Sequence, residues 1–112
     1  MIDVMLDFPP ATPAKSGHGS GLARLRYDGW MAAARSAIEQ ALAGAPWHRV
    51  AVLVDLRPKL GASLAMAPEP ILKAIDLASR QRLHPASISV AWADVPGCRV
   101  RIVPAEVQAR AA

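Results

Sequence analysis

Hydrophobic and polar residues alternate from the start of the chain. Ile2, Val4, Leu6 and Phe8 fall on one side of an extended backbone, and Asp3, Met5 and Asp7 on the other. That period of two predicts a strand with one buried face. Pro9 and Pro10 end it, because neither has an N–H to give a ladder. Residues 11–21, rich in Gly, Ser and Pro around His18, read as a loop. Leu22–Tyr27 alternates again and predicts a second, short strand that presents Arg24 and Arg26 on one side. Asp28 then stands at an N-cap position. Met31, Ala34, Ile38, Ala41 and Leu42 recur at helical spacing as far as Gly44, a residue suited to the left-handed end of a helix.

Arg49–Leu56 is apolar on both sides, with Val50, Val52, Val54 and Leu56 set against Ala51 and Leu53, as a central strand requires. Arg57-Pro58-Lys59 ends it, and an apolar loop, Leu60–Ala67, follows. Pro68 and Pro70 open a second helix, where proline is tolerated. Its inward stripe is Ile71, Leu72, Ile75 and Ala78, and His84-Pro85 closes it. Two further strands, one carrying Ile88, Val90 and Trp92 and the other Cys98–Val103, flank a turn at Pro96-Gly97. The expected fold is one α+β domain over 1–103, with two helices packed on a small mixed β-sheet. The expected order is β-loop-β-α-β-α-β-β, followed by a loose tail at 104–112.

Composition narrows this picture without giving a function. The chain of 112 residues is 53% hydrophobic and 20% charged, enough for one core. No apolar run approaches the roughly 18 residues of a membrane span, and Asp3 and Asp7 stand where a secretory leader would carry basic residues. The cytoplasm is the expected compartment. Cys98, the single cysteine, excludes an internal disulfide and a multi-cysteine zinc site, and reads as a buried thiol. The net charge of +4 is compatible with a polyanionic partner but does not specify one.

Groups able to do chemistry are sparse. His18, His48 and His84 lie in separate segments and share no metal-ligand spacing. Glu69, Lys73, Asp76 and Arg80 form a charged stripe on the second helix. It reads either as a solvated face laced by weak ion pairs or as a carboxylate-plus-lysine site for Mg²⁺ near a phosphate. Arginines fall in pairs, Arg24 with Arg26, Arg80 with Arg82, and Arg99 with Arg101. The two strand pairs would form a guanidinium surface for phosphate if both strands faced the same way.

The whole layout resembles the RusA-type Holliday junction resolvases, small phage-associated endonucleases. Phe8-Pro9-Pro10 resembles that family's Pro-Pro element. Leu25-Arg26-Tyr27-Asp28, with Arg35 beyond it, resembles its short strand and capped first helix. Arg49 to Pro58 resembles its central strand, Lys73 its helical lysine, and the strands around Pro96-Gly97 its terminal hairpin. The likeness runs from residue 2 to 103 by pattern and spacing.

The resemblance implies a homodimer that binds four-way DNA junctions in recombination and repair, and cuts them with aspartate-held Mg²⁺. The family motif Asp-x-Asp-Asn is here Ala67-Pro68-Glu69-Pro70. Glu69 is then the remaining metal ligand and, with Lys73, the remaining catalytic pair. His84 or Pro85 occupies a further acidic position. The expected function is structure-selective binding of branched DNA with weak or degenerate nuclease activity. Phosphate contacts are expected from Arg24, Arg26, Lys73, Arg99 and Arg101, with Lys15 and His18 in the first loop. Two alternatives stand beside it: an active Mg²⁺-dependent endodeoxyribonuclease centred on Glu69, and a non-enzymatic module that docks a protein partner on Leu60–Met66.

Overall fold

The computed structural model describes residues 1–10, 21–44 and 48–106. The elements are β1 (Ile2–Leu6), α1 (Gly21–Leu42), β2 (Arg49–Leu56), a single 3₁₀ turn (Leu64–Met66), α2 (Pro68–Ser79), β3 (His84–Trp92) and β4 (Cys98–Pro104). They form one four-stranded sheet in the order β1-β4-β2-β3. β4 runs antiparallel to both β1 and β2, whereas β2 and β3 are parallel. β1, β2 and β3 therefore all point the same way. This is the α+β architecture with two helices on a mixed sheet that the sequence predicts.

Both crossovers, β1-α1-β2 and β2-α2-β3, step across the sheet in the same direction. Right-handed connections of that kind put both helices on one face. Ile2 and Val4, Val50 to Leu56 at alternate positions, and Cys98, Val100 and Ile102 meet the helices there. Tyr27, Trp30, Met31, Ala34, Ile38 and Leu42 from α1 and Ile71, Ala74, Ile75 and Ala78 from α2 close the core. The other face, with Asp3, Met5, Leu53, Asp55, Arg99 and Arg101, carries no helix among the described residues.

One element is corrected. Leu22–Tyr27 is not a strand but the first part of α1, so Asp28 is an exposed residue inside a helix rather than its N-cap. Leu22, Ala23, Arg24, Leu25 and Arg26 include no β-branched residue and are good helix formers. The buried stripe also continues backward from Met31 through Trp30 to Tyr27 at helical spacing. Pro104 is likewise no tail residue, since it still pairs with Val50 as the end of β4. Residues 107–112 lie outside the described residues. Gly44, at φ 82°, follows α1 in the left-handed conformation expected of it. No helix among the described residues is long and apolar enough to cross a membrane.

Candidate nucleic-acid interface

In open sheets, the crevice beyond the carboxyl ends of parallel strands is where ligands are usually bound. β1 runs out into Asp7-Phe8-Pro9-Pro10, and β2 into Arg57-Pro58-Lys59. The N-terminal half of α1 lies beside them. Together they form a cleft of about 550 Å³, lined by Asp7, Phe8, Pro10, Arg26, Trp30 and Lys59 among others. Trp30 is fixed there by its indole N–H, which donates to the Asp7 carbonyl at 3.0 Å. The Lys59 ammonium sits over the Phe8 ring, 5.0 Å from its centroid, a cation–π contact. A second depression of about 290 Å³ shares Phe8 and Lys59 and adds Arg57 and Gly97. Arg26, Lys59 and Arg57 thus span one end of the sheet with an aromatic ring among them. None of the three forms an ion pair within the described residues.

The arginines expected to act together are separated. Arg24 and Arg26 are on α1, on the helix side of the sheet, and Arg26 alone of the two reaches the cleft. Arg99 and Arg101 are on the opposite face and already paired. Arg99 grips both oxygens of Asp3, at 2.9 and 2.6 Å. This bond holds the Asp3 carboxyl below its ordinary range and raises Arg99 above its own. Arg101 reaches Asp55 at 3.0 Å, while its buried Nε has no hydrogen-bond partner among the described residues. The shared guanidinium surface is therefore not formed. Lys15 and His18 lie outside the described residues.

Glu69 and Lys73 are exposed on α2. Neither the Glu69–Lys73, the Lys73–Asp76 nor the Asp76–Arg80 spacing closes into an ion pair. Burial raises the Tyr27 hydroxyl above its usual range, and the charges of Glu69 and then Asp28 raise it further. Glu69 and Asp28 are themselves both exposed. Asp55 is committed to Arg101 on the far face, and Asp76 is two turns from Glu69, roughly 10 Å along the axis. No three His, Cys, Asp or Glu side chains converge among the described residues. Glu69, Asp55 and Asp76 are thus not brought together as one donor set.

His48 and His84 do come together, edge to face with centroids 4.6 Å apart, at the amino ends of β2 and β3 and away from the cleft. In the apolar loop, Leu64 packs against the core while Leu60 is fully exposed. Cys98 is buried as expected, and burial pushes its thiol up to about 12.

Sequence reasoning treats Arg57-Pro58-Lys59 and Phe8-Pro9-Pro10 as strand terminators and so misses Phe8, Arg57 and Lys59 as site residues. No local signal marks them, because their grouping depends on β1 and β2 running the same way in the sheet. Comparison with protein-family models, curated proteins and solved structures finds no match.

Proposed function

We propose that this protein binds nucleic acid through the cleft at the carboxyl ends of β1 and β2. Arg26, Lys59 and Arg57 contact phosphates, and Phe8 positions Lys59 through the cation–π contact. The supporting observation is Lys59 over Phe8 beside Arg26 in a concave site. Cationic side chains grouped around an aromatic ring in a concave site are elements with which nucleic-acid grooves track a phosphate backbone. The resemblance to RusA-type resolvases makes branched DNA the substrate class and a homodimer the assembly. The departure of Ala67-Pro68-Glu69-Pro70 from the family's Asp-x-Asp-Asn motif favours binding with weak or no cleavage over an active endonuclease. A buried, unreactive thiol suits the reducing cytoplasm, where we place the protein.

Gel shifts with a four-way junction, duplex and single-stranded DNA, with and without Mg²⁺, test this reading. Retention of the junction in preference to duplex, without cutting, is the expected result. Affinity should fall steeply with salt, because each phosphate contact releases counterions. Efficient Mg²⁺-dependent cutting would favour the endonuclease alternative. No retention of any DNA at low salt would leave the protein-docking reading.

A further inference from the structure

We infer that His48 and His84 together chelate a divalent ion of the zinc, copper or nickel class, at the end of the sheet away from the cleft. The two residues are far apart in sequence, and the parallel pairing of β2 and β3 brings them side by side at the amino ends of those strands. Their ring centroids are 4.6 Å apart and the ring planes stand at 79°. With a metal–nitrogen bond of about 2.1 Å, and a ring centre roughly 1.1 Å behind each nitrogen, two imidazoles on one ion have centroids about 4.5–5.2 Å apart. The lower figure belongs to bonds at a right angle and the upper to bonds at the tetrahedral angle. The spacing of His48 and His84 falls within that range. An edge-to-face pair brings one nitrogen of each ring onto the ion by turning about χ2, a broad torsion for imidazole. Both residues are exposed, which leaves the rings free to turn.

The backbone beneath the rings is fixed. The His84 N–H donates to the His48 carbonyl at 2.7 Å, and the neighbouring Val50 and Leu83 are buried in the core. So anchored, the second imidazole is an intramolecular ligand once the first is bound. Among the described residues, no hydrogen bond or ion pair uses an imidazole nitrogen of either residue. A metal therefore displaces no protein partner there. Neutral imidazole suits Zn²⁺, Cu²⁺ and Ni²⁺, whereas Mg²⁺ takes oxygen ligands. Two protein ligands leave the other positions to water, and Arg49, the register partner of His84, adds positive charge. The site is thus an open, exchangeable one rather than a closed structural centre. It does not rest on the nucleic-acid reading.

Isothermal titration of Zn²⁺ into the full chain, without DNA, is the test. One ion should bind per chain, with a Kd in the micromolar range. His48→Ala and His84→Ala should each weaken it at least about tenfold, as losing one arm of a two-armed ligand does, while far-UV circular dichroism stays that of the wild type. His48→Gln and His84→Gln serve where an alanine variant fails to fold. His18→Ala, which removes the third histidine of the chain, should leave binding unchanged. With Cu²⁺ as the probe, electron paramagnetic resonance should show two nitrogen ligands in the wild type and one in either alanine variant. A wild-type chain that binds no Zn²⁺ overturns the inference. So does binding that survives both substitutions, or that is lost with His18→Ala and kept by the other two. Each of these outcomes leaves DNA binding to be read separately.

Discussion

At Gly97 a single added carbon would collide with backbone. A Cβ would stand 2.6 Å from the Leu6 carbonyl oxygen, and the Gly97 carbonyl accepts the Arg57 N–H at 2.9 Å. The residue thus lets the turn before β4 close against the ends of β1 and β2, under the cleft. Gly97→Ala is expected to lose about 1–3 kcal/mol, the usual range for overpacking, measured by urea unfolding. Asp3 shows the sign of a surface pair. Its folded-state pKa is depressed, chiefly by the hydrogen bond from Arg99. The pair therefore adds stability above the unfolded carboxylate range and loses it as pH falls through the lower folded value. Because both side chains are about a third exposed, solvent screening keeps the contribution small. Asp3→Asn should flatten the acid limb of a stability-versus-pH curve slightly and leave the plateau slope unchanged.

Among the elements, α2 ends under strain. Arg80 at φ 53° and Gln81 at φ 64° are both left-handed without being glycine. Their N–H groups still close the helix, Gln81 onto the Asp76 carbonyl and Arg80 onto Leu77. Gln81→Gly should raise stability by about 0.5–1 kcal/mol in thermal or urea unfolding, by relieving the Cβ clash of that conformation. This closure is hidden in the sequence, where Arg80-Gln81 offers no glycine to mark it. Helix α1 shows the converse difficulty. Its register from Met31 to Leu42 is plain in the spacing, but Leu22–Tyr27 satisfies period two by accident. Over six residues, alternation and helical recurrence share too many positions to be separated. Only the continuation of Tyr27 and Trp30 into the stripe of Met31 and Ala34 decides for helix.

At the scale of the whole molecule, the strands, their faces and the core were largely legible, because burial on one side imposes a period that local residues cannot hide. The site was legible only in part. Of the residues lining the proposed cleft, the sequence singles out Arg26, as one of a pair with Arg24. Lys59 and Phe8 required knowing that β1 and β2 are parallel with β4 inserted between them, a non-local fact that no window of sequence contains. The same fact separates Arg99 and Arg101 from the helix side and hands them to Asp3 and Asp55. Arg26 and Arg57 thus lie at the sheet's end without an ion pair among the described residues, whereas Arg99 and Arg101 are paired on the far face. The most direct measurement is fluorescence anisotropy of a labelled four-way junction across a salt series, comparing wild type with Arg26→Ala/Lys59→Ala and with Arg99→Ala. The double variant should weaken binding and reduce the slope of log K against log salt by about 2, one for each lost phosphate contact. Arg99→Ala should leave both nearly unchanged. Equal losses from Arg99→Ala, or none from the double variant, would contradict the placement of the site.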